Sequence, residues 1–184
     1  MSHEPSNRWK GLVLGLSGGA AGTLAMNAYW QVVVSMTGED PRQETSDAKP
    51  QMLDDISVAG QQAQPDESST AAIGRIGYET VTGSEPKTEE TKTVLSNAVH
   101  FGYGIAQGGL YGMLRGNVGA PDLLGGVSFA TALWLLGDEL GIPVLGLAKG
   151  PTTYPVNQHI HRFAAHLVYG LTTSTTTQLL RRLL

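Results

Sequence analysis

The chain contains no cysteine, and four of its stretches contain no Asp, Glu, Lys or Arg. Without cysteine, disulfides, thiolate metal sites and cysteine nucleophiles are all excluded. A membrane-spanning helix needs about 20 predominantly apolar residues, so the long uncharged stretches are candidate spans. These stretches are residues 11–36, 93–114, 123–137 and 163–180.

Motifs of several common protein classes are also lacking. The sequence GLSGG at residues 15–19 superficially resembles a nucleophile elbow, but it lies inside an uncharged stretch with no strand before it. Its glycines are not followed by the Lys-Ser or Lys-Thr pair of a phosphate-binding loop. No run of basic residues indicates nucleic acid as a partner. We therefore favour a non-enzymatic protein that does not bind nucleic acid.

The charges are distributed asymmetrically along the chain. Residues 38–92 carry twelve acidic and five basic residues, whereas five of the chain's twelve basic residues flank the uncharged stretches. Because the flanks of spanning helices that carry Lys and Arg stay in the cytoplasm, we expect a membrane protein whose basic flanks face the cytoplasm. Both termini would be cytoplasmic and residues 38–92 would lie outside. The five flanking residues are Arg8, Lys10, Arg115, Arg181 and Arg182.

These patterns predict an all-α polytopic membrane protein, a bundle of four transmembrane helices with an acidic extracytoplasmic loop. The N-terminus and first span would occupy residues 1–37, the loop residues 38–92, and the other three spans residues 93–184. Within the loop, apolar residues between positions 71 and 81 predict a short helix. A Ser or Thr before Glu89 and Glu90 predicts a second helix start. The expected spans are residues 9–36, 94–114, 123–140 and 159–182.

Glycines recur four residues apart in the first two predicted spans, and this spacing places them on one face of a helix. Such faces let another helix approach closely in lipid, where no hydrophobic force drives association. Two interpretations are open: packing within the bundle, or docking of a partner helix or a second copy. The glycines are Gly15, Gly18, Gly19, Gly22, Gly104, Gly108, Gly112 and Gly116; Gly126 with Ala130 offers the same spacing in the third span.

Ionisable residues gather at the outer ends of the predicted spans. Because charged groups within a membrane are energetically costly and usually paired, these residues are candidates for a functional cluster. Asn27 and Tyr29 of the first predicted span lie at a similar depth. His159 and His166 share one face of the last span, whereas His161 points elsewhere. The candidate cluster consists of His100, Asp138, Glu139, His159, Arg162 and His166.

Three interpretations of this cluster are open. The first is a polar cap in which Arg162 pairs with Asp138 or Glu139. The second is a metal site formed by His100, Glu139 and His166 with Asp138 as a further ligand, since imidazole and carboxylate groups suit zinc or iron. The third is a path for protons or a small solute, because histidine titrates near neutral pH. No HxxxH or HExxH spacing supports the metal site, so no cofactor is predicted.

Several segments together resemble the YagU-like family of small bacterial inner-membrane proteins. They are HFGYGIAQGGLYGML at residues 100–114 with its approach TEETKTVLSNAV, then WLLGDELGIPVLGL at residues 134–147, Tyr154-Pro155, and AAHLVYGLTT at residues 164–173. The resemblance covers roughly the second half of the chain. It implies a multi-span inner-membrane protein of uncharacterised activity, and it assigns no catalytic residue.

Short helices with glycine faces and little soluble mass predict a small integral membrane protein without catalytic activity. We expect it to act as an accessory or structural subunit that packs in the lipid bilayer against other membrane proteins or against itself. The alternative is a transporter or proton-handling protein that uses the outer cluster, and a metal-dependent enzyme ranks last.

Overall fold

The computed structural model describes residues 8–43, 51–115 and 122–184, and no strand occurs among them. The all-α expectation is therefore confirmed for the described part of the chain. The helices are α1 (Arg8–Thr37), α2 (Ser69–Thr82), α3 (Glu89–Leu114), α4 (Leu123–Ala132), a π-helical segment (Leu133–Gly141), α5 (Ile142–Val144) and α6 (Val156–Leu183), with 3₁₀ turns at Pro41–Gln43 and Pro151–Thr153.

The two predicted features of the acidic loop are both present as helices. α2 begins where Ser68 Oγ accepts a hydrogen bond from the Ala71 amide, and it ends at Gly83, whose positive φ of 72° places it in the left-handed region. α3 begins after Thr88, whose hydroxyl accepts from the Thr91 amide at 3.1 Å. α3 then continues to Leu114 without a break, so the charged turn and the second predicted span form one helix.

One helical stretch in the described residues is long and apolar enough to cross a membrane. It runs for 22 residues from Leu123 to Val144, through α4, the π-helical segment and α5. Only 17% of its most apolar part is buried, whereas the core helix of a soluble protein would be mostly buried. The stretch extends four residues past the predicted end at residue 140, and its π-helical middle was not predicted.

The structure divides into two compact units. The first consists of the described residues of Met1–Asp40, Tyr103–Ala132 and His161–Leu184. It therefore contains α1, α4, the C-terminal half of α3 and most of α6. The second consists of the described residues of Pro41–Gly102 together with Leu133–Ile160.

Within the first unit, α1 and α3 pack in antiparallel orientation through their glycines. A Cβ atom added at Gly15 would lie 2.9 Å from the Cα of Gly112, and one added at Gly19 would lie 3.0 Å from the Cα of Gly108. A Cβ at Gly11 would meet the Gly112 carbonyl. The backbones of the two helices are thus in direct contact, and the side chain of any other residue would separate them.

α6 packs against α1 and α4 through a second set of small residues. A Cβ at Gly22 of α1 would lie 2.8 Å from the Tyr169 carbonyl, and one at Gly18 would lie 2.7 Å from the Thr173 carbonyl. On α4, a Cβ at Gly126 would lie 2.9 Å from the Gly170 carbonyl. Along α1 the residue numbers run opposite to those of α6. The Asp122–Gln178 hydrogen bond, one turn before Gly126, gives the same direction for α4, so α6 is antiparallel to α1 and to α4.

This register brings one end of α1, α3, α4 and α6 together. Gly11 near the start of α1 faces Gly112 and the Arg181 guanidinium, and the amide of Asp122 before α4 donates to Gln178 Oε1 at 2.9 Å. The first unit therefore has an up-down-up-down order. Its shared end carries Arg8, Lys10, Arg115, Arg181 and Arg182, the five basic residues that the charge pattern assigned to one membrane face.

The first unit buries hydroxyl side chains together with apolar ones, and it leaves many large apolar side chains exposed. Its buried apolar residues include Leu14, Met26, Trp30, Val33, Tyr111 and Tyr169. Its buried polar side chains include Thr23, Thr173, Ser174 and Thr177. Large apolar side chains on the same helices are exposed: Val13, Leu24, Val32, Leu110, Leu114, Leu123, Leu124 and Leu179. A water-soluble bundle would bury most such leucines and expose most of its hydroxyl groups, so this distribution differs from that of a soluble bundle.

In the second unit, the acidic loop is attached to the segment that follows α5. The amide of Val58 donates to the Val144 carbonyl at 3.0 Å, the amide of Gln62 donates to the Gly146 carbonyl at 2.7 Å, and the amide of Gly150 donates to the Asp54 carbonyl at 2.8 Å. Residues 51–63, whose composition is typical of a mobile loop, are therefore fixed by backbone hydrogen bonds.

Arg75 of α2 fixes the next part of the same loop. Its guanidinium is nearly buried and binds both carboxylate oxygens of Glu67 at 2.9 Å, Glu79 Oε1 at 3.2 Å and the Gln62 carbonyl at 2.7 Å. Burial alone would raise the pKa of Glu67, but hydrogen bonds from Arg75 and from the Gln64 amide hold it below its usual value.

Candidate functional site

The π-helical segment of the second unit carries both acids of the predicted cluster, Asp138 and Glu139. In a π-helix each turn is widened by one residue, and such segments frequently occur at functional sites. Of the nine residues in this segment, Glu139 is the buried one. A buried carboxylate requires a partner, because removing its charge from water without one is strongly unfavourable.

His159, in the first turn of α6, is that partner. Its Nδ1 atom lies 2.9 Å from Glu139 Oε1, and its Nε2 atom lies 3.0 Å from the Pro151 carbonyl oxygen. A carbonyl oxygen can only accept, so Nε2 carries a hydrogen and donates it. The hydrogen bond to Glu139 therefore contains a further proton, which resides either on the imidazole or on the carboxyl group.

A fully buried amide precedes His159 in the chain. The Gln158 side chain has no exposed surface, and within the described residues neither its Oε1 nor its Nε2 atom has a hydrogen-bond partner. Burying a polar group in this way costs about 1–3 kcal/mol. The sequence analysis did not single out Gln158, and no local signal would have shown that this position is buried.

The other members of the predicted cluster fall in both units. His100 lies on α3 in the second unit, with its ring in edge contact with Phe101 at a centroid distance of 5.8 Å. Asp138 precedes Glu139 in the π-helical segment. Arg162 and His166 belong to the first unit, where His166 Nδ1 donates to the Arg162 carbonyl at 2.8 Å.

Within the predicted cluster, the structure pairs Glu139 with His159, a pair that the sequence did not predict, and the pairing of Arg162 with an acid stays a prediction. The described residues include no group of three His, Asp or Glu side chains positioned to hold a metal ion. The proposed ligands His100 and Glu139 belong to the second unit and His166 to the first. Zinc sites use three or four protein ligands, and Glu139 with His159 supplies two.

His161 has a partner that the sequence analysis did not assign. Its Nδ1 atom lies 2.9 Å from the Tyr29 hydroxyl, and the Trp30 ring lies 6.5 Å away between centroids. The position of Tyr29 in the first predicted span indicates a depth similar to that of the predicted cluster. The end of the first unit opposite its basic end therefore has a polar contact of its own.

A buried polar network also ties together the basic end of the first unit, and its centre is Asp122. The Asp122 carboxylate accepts from Arg115 Nε and Nη2 at 2.7 Å each, from the Tyr111 hydroxyl at 2.8 Å and from the Gly125 amide at 3.0 Å. Ser174 Oγ, 2.8 Å from the Tyr111 hydroxyl, donates to the Asp122 carbonyl at 2.9 Å.

The electrostatics of this network keep Asp122 ionised. The Arg115 guanidinium outweighs the effect of burial and, with Tyr111 and the Gly125 amide, lowers the pKa of Asp122 to about 2. The one local signal of this network in the sequence is an Asp directly before an apolar run, which indicates a helix start. Its contacts to Tyr111 and Ser174 are long-range and left no such signal.

Of the glycines predicted to mediate packing, Gly116 lies outside the described residues. Gly15 and Gly19 face α3, Gly18 and Gly22 face α6, and Gly104, Gly108 and Gly112 face α1. All of these contacts are within the first unit, so this set of glycines is used inside the chain. No family model matches the chain, and no curated protein or solved structure resembles it significantly.

Proposed function

We propose that this chain is a small integral protein of the bacterial inner membrane, with α1, α3, the Leu123–Val144 stretch and α6 as its four spans. The observation that carries the proposal is the apolar outer surface of the first unit, where exposed leucines surround helices that contact one another through glycines and buried hydroxyl groups. In a bilayer the exposed leucines would contact lipid tails. The helices would then be held together by close backbone packing, because lipid supplies no hydrophobic drive for helix association. The five basic residues at one end support cytoplasmic termini. Kinship with the YagU-like family is part of the same proposal and depends on the sequence segments alone.

Within the membrane, the proposed role is that of a non-catalytic accessory or structural subunit. The glycine faces of α1 and α3 contact each other, so a partner would have to dock on the outward apolar faces. On α1 these faces include Leu24, which is 60% exposed, and Val32, which is 53% exposed. The partner in this proposal is another membrane protein or a second copy of the chain.

Native mass spectrometry of the protein extracted gently from its own membrane tests this role. We expect an assembly heavier than one chain, and we expect Leu24→Trp and Val32→Trp to reduce it while the single chain stays folded. Leu183→Trp, which alters the exposed C-terminal end of α6, is the matched control. Recovery of single chains alone from the unsubstituted protein would contradict the subunit role.

A proton-handling function is the second candidate, and the Glu139–His159 hydrogen bond is the observation that favours it. The pair holds one proton that either partner can carry, on a π-helical segment, beside the Pro151 carbonyl. Two hydrogen-bonded side chains that can pass a proton from one to the other are the basic element of a proton relay.

Purified protein in vesicles that contain a pH-sensitive dye tests this candidate. Under an imposed potential, the wild type should dissipate a pH gradient faster than protein-free vesicles. Glu139→Gln keeps a hydrogen bond to His159 but removes the titratable proton, so it should abolish the flux. Equal rates in wild-type and protein-free vesicles would eliminate proton handling and leave the pair as a structural contact.

A further inference from the structure

A groove opens between α3 and α4 at the basic end of the first unit. It has a volume of about 340 Å³. Arg115, directly after α3, lines it at the charged end. The lining residues are Tyr111, Leu114, Arg115, Leu124, Gly125, Ser128 and Phe129.

The groove combines one cation with an apolar wall. Leu114 is 72% exposed and Leu124 is 83% exposed, and Phe129 continues the wall away from the charged end. The Arg115 side chain is 46% exposed. A guanidinium has five N–H donors, and Asp122 engages two of them, so the group can bind a second anion at its exposed side.

Charge at this end decides which kind of molecule fits. Among the described residues, this end of the unit carries five basic side chains and one acidic side chain, that of Asp122. A ligand with a negative headgroup and an apolar tail matches both parts of the groove. Basic pockets at the cytoplasmic ends of spanning helices bind anionic lipid headgroups by this combination.

We propose that the α3–α4 groove binds an anionic phospholipid of the inner leaflet, with its phosphate on Arg115 and an acyl chain along Leu124 and Phe129. This inference rests on the proposed membrane placement. A zwitterionic lipid has the same phosphate and tails, but its ammonium group is repelled by the surrounding bases. The groove therefore discriminates phosphatidylglycerol from phosphatidylcholine by charge.

Native mass spectrometry of the detergent-solubilised protein, titrated with dioleoyl phosphatidylglycerol or dioleoyl phosphatidylcholine, tests this proposal. The wild type should retain phosphatidylglycerol preferentially. Arg115→Gln should lower the preference about fivefold, the effect of one basic residue near an anionic lipid surface. Lys87→Gln, which removes a charge from the exposed acidic loop, is the matched control and should leave the preference unchanged.

Because Arg115→Gln also breaks the contact with Asp122, a second pair of variants separates lipid binding from folding. Ser128→Trp fills the groove and leaves Arg115 and Asp122 in place, so it should remove the bound lipid. Val127→Trp adds the same side chain to the same helix at an exposed position outside the groove lining and should not. Equal retention of the two lipids by the wild type, or an unchanged preference in both Arg115→Gln and Ser128→Trp, would overturn the lipid site alone. Stable solubility without detergent would instead overturn the membrane placement.

Discussion

Replacing Asp122 with alanine should destabilise the first unit more than any other single loss of a carboxylate. The carboxylate is buried and accepts four hydrogen bonds, from Arg115, Tyr111 and the Gly125 amide. Loss of the bond to Gly125 at the start of α4 costs about 1 kcal/mol. Loss of the charged acceptor for Tyr111 costs about 2 kcal/mol.

The Arg115 contact adds little to this sum, since its side chain is half exposed and water can replace Asp122. The total is about 3 kcal/mol, which corresponds to a fall of about 6–12 °C in Tm for a chain of this size. Thermal unfolding in detergent, followed by the loss of monodisperse protein, measures it. Glu90→Ala, at an exposed acid in the first turn of α3, is the control.

The pH dependence of the same contact has a definite sign. The pKa of Asp122 is lowered to about 2, so its stabilising effect is complete above the unfolded pKa near 4 and is lost as the pH falls towards 2. The stability difference between wild type and Asp122→Asn should therefore shrink by about 2 kcal/mol between pH 6 and pH 2. A Tm of Asp122→Ala within 2 °C of the wild type, or a difference that does not change with pH, would refute this reasoning.

Two further predictions concern one glycine and one arginine. Gly108→Ala should destabilise the first unit by about 2 kcal/mol, because the added Cβ would meet the Cα of Gly19 on α1. The control Gly102→Ala lies on the same helix, where the added Cβ enters open space, so it should be neutral or stabilising. Equal unfolding temperatures of the two variants would contradict the backbone contact. Arg75→Met should speed limited proteolysis of residues 51–68, and an unchanged cleavage rate would contradict this prediction. The variant should also lose the stability that the ionised Glu67 carboxylate contributes. In the wild type this contribution is present above pH 5 and declines at lower pH, because the pKa of Glu67 is lowered in the folded state.

Local signals explain why the helices could be predicted from the sequence. The uncharged stretch and its aromatic flanks predict a first span over residues 9–36, and α1 (Arg8–Thr37) is one residue longer at each end. α2 spans Ser69–Thr82, where apolar spacing predicts a helix from about residue 71 to 81. The four-residue glycine spacing predicted close helix contacts, and it could not say which helix each face meets.

Contacts between distant segments explain what the sequence did not show. Gly15 and Gly18 are three residues apart, yet the first faces α3 and the second faces α6. The π-helical segment has no periodicity that separates it from an α-helix, so the position of Glu139 opposite His159 followed only from the structure. The same is true of Asp122, whose contacts join α3, α4 and α6.

The central claim is that the exposed leucines face lipid, and the absence of native cysteine allows a direct test of it. Val81→Cys in the acidic loop, Leu136→Cys in the Leu123–Val144 stretch and Leu184→Cys at the C-terminus all replace side chains that are at least 63% exposed. In intact cells a membrane-impermeant maleimide should label position 81 only, position 184 should react after permeabilisation, and position 136 should react only after denaturation. Labelling of position 136 at the rate of position 81 would show that this face meets water, and the four-span account would be wrong.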